Sequence, residues 1–298
     1  MDKKKPFIVG VGEILWDMLP GGKVLGGAPA NFAYHCKQLG AESHMISALG
    51  KDDPGCEILE QVEALGIPSD FLFIEEQFPT STVTVKLDAK GHPEYTIHEN
   101  VAWDHIPADS KALDMMKGAD AVCFGSLAQR SPISRKSIQS YLAAVSPDCL
   151  RVFDVNLRQH FYSKEVIEES LGFADVLKLN DDELLILSEL FSLEGGEDEL
   201  IETLRQSFNL KLVALTRGGD GSTLFTGTER SDYRSDAVHA VDTVGAGDSF
   251  TAAMVMTCLK GKDLKDVHRI ASELAAYVCT QNGATPKISA DLLEEICT

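Results

Sequence analysis

The sequence contains no C-x-x-C pair, although it carries seven cysteines. Cys36, Cys56, Cys123, Cys149, Cys258, Cys279 and Cys297 are odd in number and widely spaced, mostly among apolar neighbours. This argues against a disulfide framework or a thiolate metal site and for reduced thiols in a cytoplasmic setting. Basic residues are also scarce, 27 against 46 acidic ones, for a formal charge of −19. Lysine and arginine drive affinity for phosphate backbones and anionic lipid, so neither nucleic acid nor a membrane surface is an expected partner. Apolar runs are short, and none approaches the ~20 residues that span a bilayer. Lys3, Lys4 and Lys5 are followed by Pro6, then by Glu13 and Asp17, which breaks a signal-peptide pattern. Repeats and low-complexity tracts are missing, as are a G-x-x-x-x-G-K-[ST] loop and the H-R-D and D-F-G elements of protein kinases.

With 298 residues, 44% of them apolar, the chain can bury a large core, as one α/β domain or two smaller ones. Phe7 to Gly12 reads as a buried strand entering a glycine turn. Leu15 occupies the place of the third glycine of a dinucleotide-binding fingerprint, and no helix follows directly. Extended chain continues to Leu19, Pro20 to Gly22 make a turn, and GGAPAN from Gly26 opens a helix to Leu39. Ser43 to Ala48 is a strand and Pro54 to Leu65 a helix. Thr80 to Leu87 and Glu94 to His98 alternate polar and apolar residues around a loop with Gly91 at its tip, which predicts an antiparallel hairpin. From Ala121 onward short apolar strands alternate with helices: Ala121–Phe124, Pro132–Val145, Arg151–Val155, Lys164–Leu171, Val176–Leu179, Asp181–Leu190 and Leu212–Thr216. The expected fold is therefore α/β, a mainly parallel sheet with helices on both faces and its ligand site beyond the strand C-termini.

DTVGAGDSF, Asp242 to Phe250, is the stretch best suited to chemistry. Gly245, Ala246 and Gly247 can turn their amides toward one anion at the start of a helix, where unpaired N–H groups and the positive dipole end coincide. Asp248 is then a helix cap or a general base beside a phosphoryl group. Asp17 and Asn31, near the mouth of the GGAPAN helix, suit adjacent hydroxyls, as in a polyol. FDVNLR (Asp154, Asn156, Arg158) and KLNDDE (Lys178, Asn180, Asp182, Glu183) sit past successive strands, where, taken singly, they read as helix caps and surface charge. In TRGGDGS, Thr216 to Ser222, a glycine turn admits a flat or phosphorylated ligand.

GGAPAN, KLNDDE, TRGGDGS and DTVGAGDSF, in this order, resemble the ribokinase-like sugar kinases of the PfkB family from about Val9 to Ala284. GEILWDMLPGG, YTIHENVAWDHI and FDVNLRQHFYS resemble its fructokinase-like branch. The resemblance implies a single ribokinase-like domain over residues 1–298, with a small β-sheet lid from roughly 13–25 and 75–103 that often mediates homodimers. It makes Asp248 the base and the amides of Gly245, Ala246 and Gly247 an anion hole. Asp17, Gly26, Gly27, Asn31, Trp103 and Arg158 fall to the substrate, Arg158 as a phosphate contact. Asn180, Glu183, Thr216, Arg217, Gly218, Gly219 and Gly221 fall to ATP. Glu183 would reach Mg2+ through water, and carbonyls of Asp242, Val244 and Gly283 would hold a monovalent cation such as K+. Between Thr80 and Trp103 the chain has Lys86, Lys90, His92 and His98 but no arginine, which favours a neutral hexose over sugar acids and phosphates. D-fructose is the expected substrate, 2-keto-3-deoxygluconate or ribose the alternative. A non-catalytic sugar-binding regulator is the reading from another class.

Overall fold

The computed structural model describes residues 4–19, 21–87, 93–234 and 240–297. Pro20 and the hairpin tip at 88–92, with Lys90, Gly91 and His92, lie outside the described residues. The chain starts with β1 (Phe7–Val11), a hairpin of β2 (Leu15–Leu19) and β3 (Gly22–Gly26), helix α1 (Ala28–Gln38), β4 (Glu42–Gly50), α2 (Asp53–Ala64) and β5 (Leu72–Glu75). A second hairpin, β6 (Thr82–Leu87) and β7 (Pro93–Ile97), precedes α3 (Ser110–Met116) and β8 (Ala121–Phe124). Then come α4 (Pro132–Ala144), β9 (Leu150–Asp154), α5 (Lys164–Phe173), β10 (Val176–Asn180), α6 (Asp181–Phe191), α7 (Glu197–Ser207) and β11 (Leu212–Thr216). β12 (Ser222–Phe225), β13 (Arg230–Tyr233), α8 (Ala246–Leu259), α9 (Leu264–Cys279) and α10 (Ala290–Cys297) follow.

Nine strands form the main sheet in the order β13-β12-β11-β10-β9-β8-β1-β4-β5. From β11 to β5 neighbours run parallel, and β12 and β13 extend the sheet as an antiparallel hairpin. Because β1 has β4 on one side and β8 on the other, the winding reverses there, and the crevice past the C-termini of these strands is where such sheets take ligands. Alternate residues of each strand feed two cores. Val9, Val11, Phe124, Phe153, Leu177 and Leu215 pack under the face carrying α3 to α7, while Ile8, Cys123, Val152, Val176 and Ala214 pack under α1, α8 and α9.

The four-stranded second sheet, β3-β2-β6-β7, joins the two hairpins through a parallel pairing of β2 with β6. Its strands lie within residues 15–26 and 82–97, and its inner residues Trp16 and Leu25 pack with α1 and α2 side chains in a third core. Gly22, read from sequence as turn, is the first residue of β3. The difference has a simple cause: β3 is short and contains two glycines, so alternation cannot mark it. Six cysteines with described side chains are free, and Cys56 is exposed.

Candidate active site

Helix α8 begins without a side-chain cap. Gly245 is its N-cap in the left-handed region (φ 79°), and an added Cβ there would lie 2.6–2.8 Å from Ala284 atoms, so only glycine fits. Of the amides at the start of α8, that of Ala246 donates to the Thr243 carbonyl at 3.3 Å and that of Gly247 is left for an external acceptor. Asp248, in the first turn, does not serve as that cap: its Oδ2 accepts from Asn31 Nδ2 at 2.8 Å. Asn31 comes from the first turn of α1, whose N-cap Gly27 likewise offers no side chain. Two helix N-termini, 217 positions apart in sequence at this contact, therefore converge on one carboxylate.

The surroundings are acidic and short of solvent. Burial, then the nearby Asp154 carboxylate, pushes Asp248 up to about 6, while the Asn31 hydrogen bond, Lys178 and Arg158 act the other way. Burial also lifts Asp17 to about 6 against the pull of Arg158. Glu13, 3% exposed, is lifted by burial to about 7, with Asp248 adding to the rise and Arg158 opposing it. Arg158 is itself exposed and faces all three acids. Oδ1 of Asn31 and Oε2 of Glu13 are buried acceptors without a donor, the condition that sugar hydroxyls would relieve. Gly26 and Gly27 leave no space for a side chain: a Cβ at Gly26 would strike the Asp17 carboxylate, and one at Gly27 the Glu13 carbonyl.

Past β10, Asn180 and Glu183 form a capping box. Asn180 Oδ1 accepts from the Glu183 amide and Glu183 Oε2 from the Asn180 amide, each at 2.8 Å, while Glu183 Oε1 accepts from the Leu157 amide. Burial raises the Glu183 pKa. Thr216 ends β11, its Oγ1 3.4 Å from the Leu179 carbonyl. Arg217 turns its guanidinium to Glu197 (Nε to Oε2 3.0 Å) and to Thr223. Gly218 and Gly219 border open space, whereas a Cβ at Gly221 would strike the Tyr233 carbonyl. The Asp242 carboxylate accepts from the amides of Val244 (3.0 Å) and Gly283 (3.1 Å), tying together the two loops proposed for a monovalent cation.

The Trp103 indole N–H is buried and has no hydrogen-bond partner among the described residues. The residue is fully buried in the main core, with the Arg130 guanidinium 4.0 Å above its ring and that arginine bound to Asp104 at 2.8 and 2.9 Å. Its place beside polar residues in YTIHENVAWDHI gives no hint of that burial. Sequence reasoning also passed over Glu13 as a site residue and read Lys178 and Asp154 as cap or surface charge. These two form a buried ion pair, Nζ to Oδ1 3.0 Å. A strand-end Asp and Lys on adjacent strands of a parallel sheet was the signal available.

The profile of the pfkB family carbohydrate kinases matches residues 21–291. An uncharacterized sugar kinase of Pyrococcus horikoshii is 30% identical over 272 residues, covering 88% of this chain and 83% of its own. Its crystal structure superposes with a TM-score of 0.84 at 28% identity over 97% of both chains. Fructokinase-2 of Solanum lycopersicum is 29% identical over 311 residues, 94% of this chain and 92% of its own. A double-mutant fructokinase of Vibrio cholerae with bound fructose, ADP and potassium shares the fold, with a TM-score of 0.83 at 22% identity over 100% of both chains. The convergent helix N-termini, the switch-point crevice and these matches lead to one assignment: the chain belongs to the PfkB family of carbohydrate kinases and is a sugar kinase.

Proposed function

We propose that the chain transfers the γ-phosphoryl group of ATP to D-fructose, at the hydroxyl on carbon 6, and works as one domain in the cytoplasm. The observation that carries this reading is the Asn31–Asp248 contact, which sets a polyol-binding pair of motifs against the uncapped start of α8. Asp248 takes the proton of the attacking hydroxyl, and the amides of Gly245, Ala246 and Gly247 receive the charge on the moving phosphoryl group. Asp17, Gly26, Gly27 and Asn31 hold the sugar, and Arg158 faces the transferred group. Thr216, Arg217, Gly218, Gly219 and Gly221 border the nucleotide through their main chain.

Among the described residues no group of three or more His, Cys, Asp or Glu side chains could hold a metal ion. Magnesium would be held by the triphosphate, whose charge it offsets, and by waters. Both Glu183 oxygens already accept backbone amides, which leaves water-mediated contact as its role, with Asn180 beside it. A potassium ion at the carbonyls of Asp242, Val244 and Gly283 would add positive charge behind the turn. The second sheet serves as the lid that keeps water from competing as acceptor. Its exposed Met18 and Leu19 supply the apolar contact for a homodimer.

Fructose is favoured by relatives named fructokinase and by the lack of arginine between Thr80 and Trp103. Among the described residues no helix is long and apolar enough to cross a membrane. The test is a coupled ADP-release assay with MgATP against fructose, ribose, 2-keto-3-deoxygluconate and nucleosides. Fructose is expected to give the highest kcat/KM, and NMR of the product the phosphate on carbon 6. A higher value for another sugar would replace fructose in this reading.

A further inference from the structure

Lys178 and Asp154 occupy paired positions on β10 and β9, on the face covered by α8. Lys178 is 7% exposed, Asp154 3% and Thr251 of α8 not at all. The Thr251 hydroxyl lies 3.1 Å from Asp154 Oδ2 and 2.9 Å from the Gly247 carbonyl, so the network ends on the backbone of the glycine turn. Lys178 reaches the same turn from below: a Cβ on Gly247 would lie 3.0 Å from its Nζ. The ammonium's one hydrogen bond among the described residues goes to Asp154, leaving two of its three donors.

A cation buried at the start of a helix is electrostatically out of place, because the dipole there favours negative charge. Removing both ions from water also costs more than an apolar pair in the same space would. Three carboxylates, Asp154, Glu183 and Asp248, surround the lysine; against the downward effect of burial they hold its pKa above the usual value. Arg158 also acts on Asp248, Asn31 of α1 bonds it, and Cys123 of β8 lies within electrostatic reach. The arrangement is accounted for if a further anion is delivered to this point during the reaction.

We propose that Lys178 is a catalytic residue of the transfer: its ammonium, held under Gly247 by Asp154, donates to the phosphoryl group as it passes the turn. The inference rests on the role given to Asp248 and its turn. In the step the sugar oxygen forms its bond to phosphorus as its proton moves to Asp248. The bond from phosphorus to the bridging oxygen breaks, and that electron pair leaves with ADP. Lys178 stays charged throughout, stabilising the equatorial oxygens and the ionised form of Asp248.

The test compares Lys178→Met, the double variant Lys178→Met/Asp154→Leu, and Asp248→Asn, each with MgATP and the best sugar of the panel. Lys178→Met should lower kcat by about 100-fold or more, as loss of an oxyanion donor does, with KM for sugar changed by less than ~3-fold. Its acid limb should move to higher pH. The double variant leaves the net charge beside Asp248 unaltered, so the limb should return while kcat stays low. It also removes the uncompensated buried ion, so it carries the test should the single variant not fold. Calorimetry with MgADP and aluminium fluoride should show at least ~10-fold weaker binding for both lysine variants, against unchanged MgADP binding. Parental kcat in either lysine variant, with Asp248→Asn inactive, would overturn the role of Lys178 alone. Parental turnover in Asp248→Asn would instead overturn the reading beneath it.

Discussion

Replacing Asp248 with Asn tests the site through stability as well as rate. The carboxylate is lifted from 3.8 to about 6, chiefly by burial. Two units at about 1.4 kcal/mol each set an upper figure of about 3 kcal/mol for the cost of keeping it ionised. Partial access to solvent reduces that to about 1–2 kcal/mol. Asparagine keeps the shape and can offer its carbonyl to Asn31, so near neutral pH the variant should be more stable by about that amount. The sign follows from proton binding: a carboxyl with a raised folded pKa is protonated as pH falls through about 6, which stabilises the folded parent. The gap between the two proteins should therefore shrink through this range and vanish near 3.8. Urea unfolding followed by the fluorescence of the buried Trp16 and Trp103 would measure it. Turnover should fall at least ~10²-fold at the same time. A variant less stable than the parent at neutral pH, or a gap independent of pH, would refute the electrostatic account.

Activity of the parent should fall as pH drops through about 6, where Asp248 and Asp17 both take up protons, and a kcat/KM profile would show an acid limb in that range. Gly245→Ala should cost about 2 kcal/mol or more in unfolding experiments and remove activity, because left-handed backbone and the Ala284 contact both oppose a side chain. Asp17→Asn should raise KM for sugar about 10-fold or more in steady-state assays with little change in KM for ATP, the effect of weakening a charged hydrogen bond. Asn180→Ala should lower the unfolding free energy by about 1 kcal/mol through loss of the α6 cap.

The alternation of strands and helices was legible because parallel strands such as Ala121–Phe124 are unbroken apolar runs. Glycines and small polar residues marked the two helix starts for a related reason: few residue types allow a backbone to meet a ligand. What escaped was set by neighbours distant in sequence. Ser249 to Thr257 of α8 are buried all round, the polar Ser249, Thr251 and Thr257 included, so no one-sided apolar stripe marks it. Lys178 looks like surface charge until β9 and α8 close over it. Helix α7 carries only Leu200, Ile201 and Leu204 as buried residues, and the glycines Gly195 and Gly196 just before it obscure its start. β12 (STLF) and β13 (RSDY) lack the unbroken apolar run that marks a parallel strand of the same length.

The order in which the elements leave the ribosome differs from their order in space. β1, made first, sits inside the sheet, and the face it shares with β8 to β11 is covered by α8 and α9, which are made among the last. During most of synthesis that face is an open apolar surface, the kind of intermediate that aggregates or engages chaperones. A nascent chain halted before α8 would hold every strand of the sheet with half its cover missing, and premature stop codons even late in the gene would abolish folding together with activity.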